Sequence, residues 1–355
     1  EQVGILWKEL FSNYGIKIHF AHQTFNWSNE AKSNAAVHVV IIGFAQFDST
    51  NKRIFEYENI KSNAHEKSAK NINAYLVEGD DIVIEKRRKP LCNVLNIIKG
   101  NYYAKSEGLI IEEKDLDYLV KNEPNAKKWI KLLIGADEFI NNRKRYCLWL
   151  VDCPPDELRK MPLVMERVNR VREDRLKSTD KGMQNLAPIR FRETNNPDKC
   201  IVIPVVSSEK RPYIPIGFID KNTISTNGNL IIPNGDLFLF GQLTSLMHMA
   251  WVKYTCGRLK SDYRYSKDLV YNNYPFPKNV SEKQKKAVEE KAQNVLDIRA
   301  SFSDCSLADL YDPLSMPPNL KKAHQELDKA VDNCYGSKSF KNDKERIEFL
   351  FGLYE

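Results

Sequence analysis

The hydrophobic positions at the start of the chain follow first a helical and then a strand-like period. Apolar residues recur at helical spacing over the first eleven positions and predict a helix that ends at Gly15. The runs 16–25 and 35–47 predict two strands, the second apolar enough to be buried on both faces. We expect residues 1–48 to be the end of an α/β sheet whose earlier strands lie upstream. The absence of an initiator methionine agrees with a truncated chain.

The pattern changes twice after this first block. The polar stretch 49–73 predicts a linker. Residues 74–277 then mix strand and helix periods, with two long helices predicted at 154–177 and 236–257. Short strands between turn residues are predicted for the runs YLVEGDDIVIEKRR, KCIVIPVVSS, YIPIGFID and GNLIIPNG.

The last part of the chain, residues 278–355, reads as purely helical. Ser281 with Gln284 forms a capping box, and amphipathic stripes follow it, so we expect a small three-helix bundle. The predicted fold class is therefore α+β. It combines remnant α/β strands, a mixed α/β central domain and a C-terminal helical bundle.

Composition narrows the class of protein. The 355 residues are 42% hydrophobic and 28% charged, which excludes wholesale disorder, and no apolar stretch is long enough to span a membrane. The seven cysteines form no CxxC pair and are expected to be reduced thiols in a soluble, cytoplasmic protein. Basic side chains outnumber acidic ones by 42 to 33 in residues 1–280, against 12 to 14 in 281–355. A positive excess in one part suits a polyanionic partner such as nucleic acid, but an ordinary basic surface explains it equally well.

The sequence offers no catalytic constellation and no metal site. A nucleotide or S-adenosylmethionine loop requires closely spaced glycines, and no GxG occurs in the chain. The six histidines have no partners at metal-ligand spacing, so they are interpreted as structural or surface residues. Cys153, in Asp152-Cys153-Pro154-Pro155, has no histidine nearby in sequence that would activate it as a nucleophile.

The segment after Gly257 carries the most specific signal. If it is extended, Lys260, Asp262 and Arg264 project from one face, while the intervening tyrosines pack on the other. Lysine and arginine donate to guanine in the major groove, whereas aspartate accepts from cytosine, so this face is suited to reading base edges. The alternative is a solvated edge strand whose charges pair with one another.

The whole chain resembles the C-terminal part of the MmeI-like type IIL restriction–modification enzymes, which combine a nuclease, an adenine-N6 DNA methyltransferase and a target recognition domain. The resemblance lies in EQVGILWK, HFAHQTFNWSNEA, AAVHVVIIGF, RRKPLC, ADEFINNRKRYCLWL, RPYIPIGFID, MHMAWVKYTCGRLKSDYRYSKDLVYNNYPFP, SLADLYDPLSMPP and AHQELDKAVD.

The resemblance implies a function for each block. Residues 1–48 would end the methyltransferase domain, 74–277 would recognise the DNA target, and 278–355 would be the C-terminal helical domain. The cofactor and catalytic loops would precede Glu1. This chain is therefore expected to bind no cofactor and to catalyse nothing alone, while the parent protein would use S-adenosylmethionine.

The resemblance also implies which residues read bases. Lys260 and Asp262 fall where a co-varying pair reads one base pair, with guanine opposite cytosine expected for this combination. Arg264, with the loop around Asn227 and Gly228 opposite it, falls where a neighbouring base pair is read. The expected partner is double-stranded DNA.

Basic residues elsewhere are candidates for binding the DNA backbone. They are Arg87, Arg88, Lys89, Arg167, Arg170, Arg172, Arg175 and Arg258. For the helix within 154–177, a solvated face with pairs such as Glu166–Arg170 is the alternative, and for Arg87 to Lys89 it is a plain surface turn before Pro90. Two other functions stay open: a protein–protein interaction module within a DNA- or RNA-modifying assembly, and the specificity domain of an RNA-modifying enzyme.

Overall fold

A computed structural model describes residues 2–27, 37–57, 62–336 and 339–354. The first two positions of the predicted strand 35–47, and residues 58–61 of the predicted linker, lie outside these ranges. Within them the chain is α+β, with four small sheets and a helical C-terminal part. The predicted fold class is confirmed.

The first block is one helix against a mixed four-stranded sheet. Its elements are α1 (Gln2–Tyr14), β1 (Lys17–Trp27), β2 (Val37–Ala45), β3 (Lys52–Tyr57) and β4 (Ala64–Ala69). The strand order is β2-β1-β3-β4, with β1 parallel to β3 and antiparallel to β2. Trp7 of α1 packs with Ile18 and Ile54 of the sheet in one core, because the apolar positions of α1 recur on one side of the helix. The predicted helix and the two predicted strands are confirmed. The expected burial of the second strand on both faces is wrong, because β2 lies at the edge of the sheet and none of its residues is buried.

The prediction of a linker over 49–73 is wrong. The strands β3 and β4 lie within it and pair with each other antiparallel, and β3 extends the sheet beside β1. Ile54 is fully buried, while β4 lies at the edge of the sheet and exposes most of its side chains. An edge strand needs few apolar residues, so its sequence resembles that of a polar connection.

The next block contains a four-stranded sheet, to which β12 (Thr223–Ser225) is added from later in the chain in the order β12-β7-β8-β6. Its elements up to residue 184 are β5 (Ile98–Lys99), β6 (Ile110–Glu112), α2 (Glu113–Asn122), β7 (Ile130–Ile134), α3 (Ala136–Asn141), β8 (Arg145–Leu148), α4 (Pro155–Leu158), α5 (Pro162–Leu176) and α6 (Lys181–Gln184). The single helix predicted at 154–177 is thus two helices. Pro162 lacks an N–H and occupies the first turn of α5, where none is needed, so it begins a new helix.

Two further sheets complete the central region, with strand orders β11-β9-β13-β5 and β10-β15-β14. The elements are β9 (Lys199–Pro204), β10 (Val206–Ser207), β11 (Gly217–Asp220), β12 (Thr223–Ser225), β13 (Asn229–Pro233), α7 (Leu237–Leu243), α8 (Leu246–Thr255), β14 (Gly257–Leu259), β15 (Asp262–Arg264) and a π-helical turn (Lys267–Tyr271). The predicted strands at 199–208, 213–220 and 228–235 are confirmed in part of each run. The run 75–88 forms none, although it buries Ile82 and Ile84.

The single helix predicted at 236–257 is also two helices. Asp236 caps α7 and Ser245 caps α8, each by accepting a hydrogen bond from a backbone N–H in the first turn of its helix. The second cap places a helix start in the middle of what reads as one apolar stripe.

The C-terminal helices are α9 (Glu282–Ala300), α10 (Leu307–Leu310), α11 (Pro318–Cys334) and α12 (Asp343–Tyr354). The predicted capping box of Ser281 and Gln284 is present. The helices do not form a separate three-helix bundle, because α9 and α11 pack together while α12 packs on α8. One hydrophobic core runs from Ile201 and Trp251 of the central region to Leu327 and Phe351 of the tail.

Candidate nucleic-acid interface

The segment after Gly257 is a β-hairpin. Strands β14 and β15 pair Gly257 with Arg264 and Leu259 with Asp262, which leaves Lys260 and Ser261 as a two-residue turn. Lys260 is exposed and has a φ of 56°, a left-handed conformation that is costly for a residue with a Cβ. The segment is therefore not one extended strand, and Lys260 projects from the hairpin tip instead of lying in line with Asp262.

The two faces of β15 agree with the predicted alternation. Tyr263 and Tyr265 are buried, with 4% and 3% of their surface exposed, and Arg264 is exposed between them. Asp262 and Arg264 lie two residues apart in a strand and hence on the same face. Tyr265 donates or accepts a hydrogen bond with His248 at 2.8 Å. The tyrosines thus anchor the hairpin and leave the charged face outward.

Arg258 supports the hairpin from its exposed side. Its guanidinium lies 4.2 Å from the ring centre of Tyr263 and donates to the carbonyl oxygen of Ser261 at 2.9 Å. Glu209 Oε2 is 3.6 Å away. These contacts make Arg258 a support for the turn, in addition to any contact that it makes with DNA.

Asp262 is half-buried beside the turn. Its Oδ1 accepts a hydrogen bond from the backbone N–H of Glu209 at 3.3 Å. Burial lowers the pKa of Arg211, and the charge of nearby Asp262 opposes that shift. The self-pairing of Asp262 with Lys260 or Arg264, considered from the sequence, is not found among the ion pairs of the described residues.

The loop at Asn227 and Gly228 is a tight turn. The carbonyl oxygen of Thr226 accepts from the backbone N–H of Asn229 at 3.0 Å. Gly228 donates to Thr226 Oγ1, and its carbonyl accepts from Val205. Both polar groups of Gly228 are therefore used within the protein, so base reading by Gly228 is not supported. Asn227 is exposed, and its side chain is available to a ligand.

The hairpin and this turn line one cleft of about 740 Å³. Arg264 and Asn227, which were predicted to lie opposite each other, both face it, and so does Arg258. Lys260 and Asp262 do not line the cleft and lie at the far end of the hairpin. The predicted base-reading set is thus divided between the cleft and the hairpin tip.

Three lysines that the sequence analysis missed also line the cleft: Lys86, Lys99 and Lys267. Asp268 is the one carboxylate among the lining residues, and it lies 3.4 Å from Lys267. Among the described residues, Arg264 forms no ion pair. The lysines come from three separate segments, so no local sequence pattern could have grouped them. The resulting positive potential favours a polyanion.

Two of the four arginines predicted to bind DNA on α5 are structural. Arg175 is 1% exposed, and its guanidinium donates to Ser106 Oγ and to the carbonyl oxygens of Lys105, Leu186, Ala187 and Arg190. Arg167 is half-buried and donates to the carbonyl oxygens of Gly108 and Ile110. A buried guanidinium with its donors occupied cannot reach a phosphate, so the prediction is wrong for Arg175 and unsupported for Arg167.

The other predicted backbone contacts are exposed. Arg170 lies 3.7 Å from Glu166, four residues earlier, which is the pair that the sequence suggested, while Arg172 is exposed on the same helix. Arg87, Arg88 and Lys89 are exposed as well. The backbone N–H of Arg87 donates to the carbonyl oxygen of Asp268, which places this basic run at the edge of the cleft.

The buried histidines His248 and His324, and Cys153, lie in surroundings that do not favour catalysis or metal binding. Burial lowers the pKa of His248 and of His324 to about 3, so both are neutral in the core. Burial raises the pKa of the Cys153 thiol, which does not favour a nucleophilic thiolate. In the part of the chain that the structure describes, no cluster of three metal-ligating side chains occurs, and no helix is long and apolar enough to cross a membrane.

Comparisons with known proteins match the chain along its length. Models of three MmeI domains match in sequence order: the DNA-methyltransferase domain at residues 1–56, the target recognition domain at 78–278 and the C-terminal domain at 280–355. The chain is 42% identical to DNA methyltransferase A of Bacillus subtilis (strain 168), over all of this chain and 40% of that protein. It is 46% identical to the type IIL restriction–modification enzyme MmeI in a structure with DNA, with a TM-score of 0.88 over all of this chain and 47% of that one. The chain thus spans less than half the length of either relative.

Proposed function

The chain belongs to the MmeI family, and on that premise we propose that it selects the DNA sequence on which a larger adenine-N6 DNA methyltransferase acts. The chain holds a target recognition domain, the C-terminal domain and part of a DNA-methyltransferase domain. Methyl transfer from S-adenosylmethionine would belong to the parent polypeptide in the cytoplasm, because this chain lacks a glycine-rich cofactor loop.

The observation that carries the proposal is the convergence of Arg264 and Asn227 on one positively charged cleft. Arginine can donate two hydrogen bonds to a base edge, and the amide of asparagine can both donate and accept, so the two side chains suit the edges of one base pair. The flanking lysines suit phosphates. Such a cleft can bind the DNA backbone and also distinguish one base pair from another. A surface that binds only protein needs neither property.

The hairpin tip would read a second base pair. Lys260 would donate to guanine and Asp262 would accept from the opposite cytosine, which places one charge of each sign at the tip. The side chains of Arg170, Arg172, Arg87, Arg88 and Lys89 would contact phosphates and set the register. Arg258 would mainly hold the hairpin in shape.

The first block would join this chain to the rest of the methyltransferase domain. Trp27, Val40 and Phe44 in β1 and β2 expose about half of their surface, more than sheet residues of an α/β domain normally expose. The expected partner for this apolar surface is the remaining part of that domain in the same polypeptide.

Duplex binding by the full polypeptide tests the proposal. Binding should weaken steeply between 50 and 200 mM salt, since each neutralised phosphate adds about 0.9 to the slope of log K against log salt. Lys260→Ala should lower discrimination at one base pair, whereas Arg170→Ala should weaken all sequences alike and lower the slope by about 0.9. Lys321→Ala, on the exposed surface of the C-terminal part, is the control.

Weak binding with no salt dependence would contradict the proposal and favour a protein-interaction module. Identical behaviour of the Lys260 and Arg170 variants would contradict the division between base reading and phosphate binding.

A further inference from the structure

Asn101 is an amide side chain with no exposed surface, immediately behind the Asn227 turn. Its Nδ2 donates to the carbonyl oxygens of Asn195 at 2.9 Å and Ser225 at 3.0 Å, and its Oδ1 accepts from the backbone N–H of Asn195 at 2.8 Å. Its backbone N–H donates to Ser225 at 2.8 Å, and its carbonyl oxygen accepts from the N–H of Asn227 at 3.0 Å. This one residue joins β5 to two loops.

The contacts of Asn101 require an amide. Two donors on Nδ2 and an acceptor on Oδ1 are all used, and a carboxylate there would place negative charge against two carbonyl oxygens. A small apolar side chain would remove both hydrogen bonds to the backbone of Asn195, while the carbonyl oxygen of Ser225 would keep the bond from the backbone N–H of Asn101. The position is therefore selective for asparagine on chemical grounds.

The turn is held from both sides. On one side, the backbone just after β5 packs directly against it, because a Cβ on Gly100 would lie 2.1 Å from the carbonyl oxygen of Thr226. On the other side, Gly228 accepts a hydrogen bond from Val205, and Val205 accepts one from Tyr265, next to Arg264. The two walls of the cleft thus share one hydrogen-bonded framework, and Asn101 is its buried end.

We propose that Asn101 is a positioning residue for DNA specificity, which fixes Asn227 at the distance from Arg264 that one base pair requires. The proposal rests on the proposed function, since it assumes that the cleft reads DNA. Asn101 itself touches no base, because it is fully buried. The side chain of Asn101 holds its own backbone in place, and that backbone in turn positions the turn through its hydrogen bonds to Ser225 and Asn227.

The test measures discrimination at each base pair by the full polypeptide. For each position of the recognition site, the dissociation constant of the cognate duplex is compared with that of a duplex with one base pair replaced. The position at which Arg264→Ala lowers discrimination identifies the base pair read in the cleft. The position at which Lys260→Ala lowers discrimination identifies the base pair read at the hairpin tip. Asn101→Ala should lower discrimination about tenfold at the position marked by Arg264→Ala and leave the position marked by Lys260→Ala unchanged.

A matched control separates positioning from general loss of stability. Asn73 is also fully buried and accepts hydrogen bonds from Tyr75 and Val77 through its side chain, but it lies outside the cleft. Asn73→Ala should weaken folding without changing the profile at any single position. If the Asn101 variant does not fold, Thr226→Val, which removes the acceptor for Gly228 and keeps the volume, tests the same turn.

The outcomes are distinguishable. An Asn101 or Thr226 variant that weakens the binding of all duplexes equally, with no change at any single position, would overturn the positioning role. If neither Arg264→Ala nor Lys260→Ala marks any position, the proposed function fails instead, and with it the basis of this inference.

Discussion

Replacing Lys260 by glycine should lower the discrimination between DNA sequences without lowering the stability of the fold. Lys260 occupies the hairpin turn at a φ of 56°, where a side chain is strained and glycine is not. The residue sits at an exposed tip, so its aliphatic part has little packing to lose.

The expected change in stability follows from the backbone strain that is removed and from the conformational freedom that glycine adds to the unfolded chain. Removing the left-handed strain gains about 1 kcal/mol, and the larger conformational freedom of glycine in the unfolded chain offsets about half of it or more. The net change in the free energy of unfolding should lie between zero and about 0.5 kcal/mol in favour of the variant. Discrimination at one base pair should fall by about 1–3 kcal/mol.

The assay combines thermal unfolding with binding to duplexes that differ at single base pairs. Lys105 provides a matched control, because it is also an exposed lysine in the left-handed region, with a φ of 59°, but it lies outside the cleft and the hairpin. Lys105→Gly should change the Tm by a similar small amount and leave discrimination unchanged.

Two results would refute this reasoning. A fall in stability of more than about 1 kcal/mol on Lys260→Gly would show that the lysine holds the hairpin together. Unchanged discrimination at every base pair would show that Lys260 does not read DNA.

Two further predictions concern buried charged groups. Arg175→Ala should lower the free energy of unfolding by about 3 kcal/mol or more, because it leaves several buried acceptors unpaired. Arg172→Ala, on the exposed face of the same helix, should change the free energy of unfolding by less than about 0.5 kcal/mol. Equal effects of the two variants in urea unfolding would contradict the structural role of Arg175. Burial raises the pKa of Asp328, which accepts from Tyr213, to about 7 from 3.8, so the folded protein retains a proton that the unfolded chain releases. The contribution of Asp328 to stability should therefore be lost as the pH rises from about 4 to about 7, in opposition to His248 and His324, which are neutral in the core and stabilise the fold more as the pH rises toward their unfolded pKa. Asp328→Asn removes that opposing contribution, so the Tm of the variant should rise more steeply with pH over this range than the Tm of the unsubstituted protein; an unchanged dependence would contradict the assignment.

Local patterns predicted those features of the fold that depend on neighbours in sequence. The spacing of apolar residues predicted α1, and the alternation around Tyr263 and Tyr265 predicted which face of β15 is buried, because both follow from the period of the element. Arg175 could also have been assigned correctly. It lies four residues after Val171 and seven after Val168, on the buried face of α5.

Other features depend on partners that sequence does not reveal. The turn at Lys260 and Ser261 has neither glycine nor asparagine, so it lacks the usual signal for a two-residue hairpin. The role of Asn101 depends on a loop that lies more than 90 residues away in sequence. The cleft lysines come together only through the tertiary fold.

The central claim is that this chain chooses a DNA sequence for methylation, and one measurement tests it most directly. Modified bases would be sequenced in DNA from cells that express the full polypeptide, and again after Lys260 and Asp262 are exchanged by Lys260→Asp with Asp262→Lys. We predict N6-methyladenine at one short motif that contains a guanine–cytosine pair, and a change at that pair alone in the variant. Absence of methylation from the intact, well-expressed protein would contradict the claim, and a motif unchanged by the exchange would contradict base reading at the hairpin tip.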